Sequence, residues 1–247
     1  MIDLNLVKEK FIDYVNTFDM DNKNIYLKYE HTFEVVKIME NICNRKNITG
    51  EDKDLALAIA YFHDIGRFEQ VVKTGTFKDG KEDHADNGAD LLIKRNLIEE
   101  FNIPKEYYKI IELSVRLHNK LELDKGLTAR EELFCKLIRD ADKIDIYRVR
   151  NKYNDDLFVM EPSKINIDDF YNHKSINLKN ISNKSDSLVC VMAFIYDLNF
   201  EESKEVLKDL GYYEKFIDGI KVEDNRELFE SLKEETYKFL NIGEENE

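Results

Sequence analysis

The sequence predicts an all-α protein. Three observations carry that prediction. Only 2 prolines and 9 glycines occur in 247 residues, too few for a turn-rich β architecture. Apolar residues recur at three- and four-residue spacing along most of the chain. No run shows the two-residue alternation of a sheet. Hydrophobic residues make up 43%, enough for a real core without disulfide or metal staples.

The elements follow in order. A first helix is expected from Leu4 to Phe18, with Val7, Phe11, Tyr14, Val15 and Phe18 at helical spacing. A second is expected from Tyr26 to Ile42. Thr49 reads as an N-cap, with an acid three residues on. The helix after it, roughly Lys53 to Ile65, is apolar all round, so it is central and buried. Gly66 reads as its stop. Thr74 to Gly80 is a loop, and Val71 to Gly80 could lie over a site as a lid. Further helices are expected over Glu82 to Leu97, from Pro104 to His118 and from Ala129 to Arg150. Residues 151–183 read as a mixed loop with short helices. Ser187 to Asp197 is strongly apolar, and Glu202 to Leu210 and Arg226 to Leu240 are amphipathic helices. The tail from Gly243 to Glu247 should fray. The whole of 1–247 reads as one helical domain, with a core at about 25–150 and a helical extension at about 151–247.

Charge and composition narrow the function. The formal charge is −14, which argues against a nucleic-acid polymer or an anionic membrane as partner, since both need a basic face. A small phosphorylated substrate needs only a local cluster of cations. Cys43, Cys135 and Cys190 are far apart and odd in number, as free thiols in a reducing compartment would be. The N-terminus lacks signal-peptide architecture. The longest apolar stretch, Leu188 to Tyr196, is far short of the ~20 residues that span a bilayer. A soluble, cytoplasmic protein is expected, and self-association is left open.

Chemistry concentrates in a few places. The central helix ends in Tyr61-Phe62-His63-Asp64-Ile65-Gly66-Arg67. A carboxylate at the end of an apolar helix costs several kcal/mol unless something neutralises it. A divalent cation does so, taking imidazole nitrogen and carboxylate oxygen together. A capping Asp beside a satisfied core His is the plainer alternative. Arg139-Asp140-Ala141-Asp142-Lys143-Ile144-Asp145 puts three acids on an apolar helix, with Asp142 on the face of Ile138. The alternative is a solvated face on which these acids pair with Arg139, Lys143 and Arg148. His31 follows Lys28-Tyr29-Glu30 and shares a face with Val35, Ile38 and Ile42.

His31, the His63-Asp64 pair and Asp142 together resemble the H…HD…D pattern of the HD-domain superfamily of metal-dependent phosphohydrolases. The resemblance covers about residues 25–150 and implies an all-α HD-domain bundle. It also implies that His31, His63, Asp64 and Asp142 bind a divalent metal. Some branches add two histidines between the HD pair and the last Asp, and Asp64 then bridges two metals. His84 and His118 fall in that interval. The plainer alternatives are a surface residue for His84 and a helix C-terminal cap for His118. His173 has no such context and should be exposed.

The expected reaction is hydrolysis of a small phosphate ester, foremost a nucleotide, by a metal-activated water, with one or two ions among Mn, Fe, Ni, Co, Zn or Mg. Asp64, Lys143 and Arg67 are the catalytic candidates. Lys28, Arg67, Arg116 and Lys143 are the candidates for substrate charge, with Lys120 and Arg148 behind them; a surface salt bridge is the alternative for each. Two rivals stand beside this reading. One is an HD-type oxygenase with a mixed-valent di-iron site and the same ligands. The other is a non-catalytic metal-binding sensor. Phe158, Phe170, Tyr171, Tyr212 and Tyr213 read as core residues.

Overall fold

The structure is a computed structural model that describes residues 1–78, 83–152 and 156–242. The chain divides into two compact units, Met1–Asp142 and Lys143–Glu247.

In the first unit, α1 (Leu4–Val15) begins on Asp3, whose carboxylate accepts the amides of Asn5 and Leu6 at 3.0 and 3.2 Å. It stops short of Phe18, because the amides of Thr17 and Phe18 turn to carbonyls three residues back. α2 (Lys23–Arg45) is capped by Asn22 and overruns the predicted range at both ends. α3 (Gly50–Phe62) buries every residue from Leu55 to Phe62, as its all-round apolar sequence requires. It packs among α1, α2 and the later α6. Thr49 occupies the N-cap position, but its side chain makes no capping bond. Gly50, the next residue, takes φ +59°, a conformation that glycine adopts readily.

The chain breaks at His63-Asp64 and restarts as α4 (Ile65–Thr74). Gly66 therefore stops nothing; it lies inside α4. Its role is contact, because a Cβ there would meet the His84 carbonyl at 2.3 Å and the Gly88 amide nitrogen at 2.6 Å. α5 (His84–Ile93) begins on Asp83. The predicted start at Glu82 and the Asp79-Gly80 pair lie outside the described residues. Asn96, at φ +58°, ends that run, so Leu97 opens a separate 3-10 turn to Phe101. After a second short turn at Lys105–Tyr107 come α6 (Tyr108–Leu117) and α7 (Ala129–Lys152).

The second unit holds α8 (Lys164–Tyr171), α9 (Lys184–Met192), α10 (Glu201–Leu210), α11 (Tyr212–Gly219) and α12 (Arg226–Leu240). Its core includes Phe158, Phe170, Val189, Met192, Tyr213, Phe216 and Leu232. Two corrections arise here. Strands β1 (Leu157–Phe158) and β2 (Lys221–Val222) pair in parallel, where no strand was expected; two residues are too few to show an alternation. Tyr171 is not core: it is exposed, with its hydroxyl 2.8 Å from Ser231 Oγ. Tyr212 is only partly buried. The three cysteines are free and buried. No described helix is long and apolar enough to cross a membrane. The tail expected to fray lies outside the described residues.

Candidate metal centre

Six candidate ligand side chains converge in the first unit, with Lys28 beside them. α2 presents Lys28 and, one turn later, His31. His63 ends α3, Asp64 precedes α4, His84 opens α5, His118 follows α6, and Asp142 lies on α7. The four histidines and Asp64 are each no more than 3% exposed. Burial removes the surface-residue alternative for His84. Asp140 and Asp145 are also fully buried, so the solvated-face alternative fails for both.

Asp64 sits between two histidine pairs. Its Oδ1 lies 3.3 Å from His84 Nε2 and 3.5 Å from His118 Nε2. Its Oδ2 lies 3.6 Å from Nε2 of both His31 and His63. Asp142 Oδ1 joins the latter pair, 3.1 Å from His31 and 3.9 Å from His63. Two triads result, His31-His63-Asp142 and Asp64-His84-His118, each with ligand atoms close enough to hold one ion.

The donor chemistry fits a metal. His63 Nδ1–H donates to the Ala60 carbonyl at 2.8 Å, and His118 Nδ1–H donates to the Val115 carbonyl at 2.7 Å. A carbonyl only accepts, so the proton sits on Nδ1, and in the neutral ring Nε2 presents a lone pair. Within each histidine pair the Nε2 atoms face each other at 3.2 Å. Burial pushes the His63 imidazole down to about 4, against the pull of Asp64 and Asp142, so the ring is neutral at pH 7. Burial pushes Asp64 up, but Lys28, His63 and bonds from His118 and His84 outweigh it and hold the carboxyl well below the usual range. For Asp142 burial likewise acts upward, and His31 and His63 prevail, holding it low. Neutral imidazoles and ionised carboxylates are the states that ligate divalent cations.

Among the predicted substrate-binding cations, the structure brings two to Asp64. Lys28 Nζ lies 2.5 Å from Oδ2, and Arg67 Nε lies 3.6 Å from Oδ1. Arg116 is held by Asp86, Asp90 and Glu112 at 3.1, 2.7 and 3.0 Å. Lys120 pairs with Asp83 and Asp86 at 2.8 and 3.0 Å. Lys143 pairs with Asp197 at 2.8 Å, and Arg148 with Asp145. His173 is exposed, stacked on Tyr196 and paired with Glu235 at 2.7 Å.

Several supporting residues were not legible in the sequence. Asp83 caps α5 through the amides of Ala85 and Asp86 and accepts Asn119 Nδ2 at 3.0 Å, tying the residue before His84 to the residue after His118. Arg139 is buried and donates to the carbonyls of Leu117, Lys120 and Leu121, fixing the turn that leaves His118. The Gly66–Gly88 contact lets α4 and α5 approach closely, which brings Asp64 against His84. In the sequence the hints of these are the acid before His84 and Gly88, a glycine that allows close helix approach.

The family model described as the HD domain matches residues 29–147, a span that holds all six converging residues. No curated protein and no solved structure matches the chain. The all-α first unit, the order His31, His63-Asp64, Asp142 and the matched span agree, and residues 29–147 form an HD domain.

Proposed function

We propose that this protein is a metal-dependent phosphohydrolase acting on a small phosphate ester, with nucleotides the foremost class. One observation carries the reading: the two oxygens of Asp64 each face a different pair of histidines. A carboxylate so placed suits a bridge between two cations, held by His31, His63 and Asp142 on one side and by His84 and His118 on the other. Bound divalent ions would supply Lewis acidity toward a phosphate and a water. The protein's own groups do the rest. Lys28 and Arg67 flank Asp64 and would take the charge of the phosphate oxygens. Lys143, beside Asp142 in sequence, is taken up instead by Asp197 at 2.8 Å. Arg116, held among three carboxylates, is assigned to aligning α5 with α6. The donor set suits Mn, Fe, Ni, Co or Zn better than Mg alone.

The test is metal analysis of the purified protein after growth with Mn or Fe, coupled to a screen of nucleotides and phosphoesters. One to two ions per chain and release of inorganic phosphate are expected. Fewer than about half an ion per chain would overturn the reading. Oxygen uptake by iron-loaded protein, with no phosphate released, would replace it by the di-iron oxygenase.

A further inference from the structure

Residues 75–78 form a strap bonded to both helices that supply the cations beside Asp64. Gly75 takes φ +68° and turns the chain off the end of α4. Its carbonyl accepts Asn24 Nδ2 at 3.3 Å, which ties the strap to the start of α2. Arg67 Nη1 donates to the Phe77 carbonyl at 2.7 Å and to Gln70 Oε1 at 2.7 Å. Gln70 Nε2 donates to the Lys78 carbonyl at 3.2 Å. Arg67 and Gln70 lie one turn apart on α4, so a single helix face grips two successive carbonyls. The strap is also bonded to itself, through Thr74 Oγ1 with Thr76 and the Lys78 amide with Thr76 Oγ1.

The backbone is thus fixed, while the Phe77 ring is only partly buried. Its centroid lies 5.4 Å from Lys28 Nζ and 6.0 Å from the Arg67 guanidinium carbon. These distances are at the outer end of the cation–π range, so the attraction orients the ring without enclosing it. A flat apolar surface is therefore held beside the two cations that face Asp64.

We propose that Phe77 selects the organic group of the substrate: its ring takes the flat face of an aromatic group attached to the phosphate. The inference rests on Lys28 and Arg67 being the phosphate-holding cations, and it moves the ester from a nucleotide, whose phosphate carries a puckered sugar, to a phosphate that carries an aryl or benzyl group. A phosphate between them would leave its substituent next to the ring, where an aromatic group stacks and a puckered one does not.

The experiment is calorimetric titration of the Mn-loaded full chain with benzylphosphonate and with cyclohexylmethylphosphonate. The two share a non-hydrolysable headgroup and differ in the flatness of the ring. Wild type should bind the benzyl compound about tenfold more tightly, the order of one aromatic stack. Phe77→Leu keeps apolar bulk without a flat ring and should lose that preference on the benzyl arm alone. Phe77→Trp should keep it. Equal binding of the two compounds by wild type would overturn the assignment. So would an equal loss of both in Phe77→Leu, since the ring would then only position the cations. If wild type binds neither, the phosphate-site reading itself fails, and the inference with it.

Discussion

Asp64 and Asp186 are both buried carboxylates held well below the usual range, and the protein keeps them ionised by different means. Burial pushes Asp186 upward, and hydrogen bonds from Ser182, Ser163 and Asn166 more than offset it. Its oxygens accept the amides and hydroxyls of Ser163 and Ser182 and Asn166 Nδ2, all between 2.7 and 2.9 Å. Those donors are neutral, and because Ser163 and Asn166 lie more than 19 positions before Asp186, they stitch the loop before α8 and its first turn to the start of α9. Asp64 instead faces two flexible cations and four imidazoles, at least two of which aim lone pairs inward. A carboxylate satisfied by fixed donors is architecture. One that shares its surroundings with convergent lone pairs is built to receive a cation.

The contrast makes opposite predictions for two alanine variants. Asp64→Ala should lose its metal and reduce phosphate release by more than about 100-fold, beyond the loss typical of groups that merely support a ligand. It also leaves Lys28 without its carboxylate partner, so its urea midpoint should fall as well. Asp186→Ala leaves several buried donors unmatched and should cost about 3 kcal/mol in urea unfolding while retaining its metal content. Turnover surviving in the first variant, or metal lost in the second, would break the distinction.

A smaller effect tests whether the support of His84 is separable from ligation. Asp83→Asn weakens the clamp to Lys120 and the cap on α5. It should lower affinity at the His84-His118 side by about 10- to 100-fold, read as loss of one of two ions on dialysis, with the other retained. Equal loss of both ions would mean that the two triads are one indivisible site.

The smallest effect is on pH. The folded value of Asp186 is depressed, so its contribution is fully present above the unfolded value of about 3.9 and is lost as pH falls toward the folded value. Below about pH 4 the unfolded chain takes up a proton that the folded chain does not, and stability drops. Urea midpoints should therefore decline less steeply with falling pH in Asp186→Asn than in wild type. Parallel slopes would show that Asp186 is not a source of the acid sensitivity.

Much of the first unit was legible because its cause is local. The apolar run Leu55–Phe62 could only be a central helix, and the spacing of His31 with Val35 and Ile38 placed that imidazole inward. The cap at Asn22 is local too, yet it starts α2 at Lys23, ahead of the Tyr26 that periodicity shows. Gly66 was misread because glycine has two uses. A sequence shows its freedom to end a helix, while its lack of a side chain matters only when Gly88 arrives from 22 positions on.

The sequence by itself determined the helical class, the buried central helix and the residue types able to ligate a metal, since these depend on periodicity and side-chain chemistry. Only the tertiary structure decided that Asp64 turns one oxygen to each histidine pair, that Lys28 and Arg67 accompany it, and that Asp83 and Arg139 hold the histidine-bearing ends. These are distances between segments remote in sequence, and close packing across helices, not local preference, sets them.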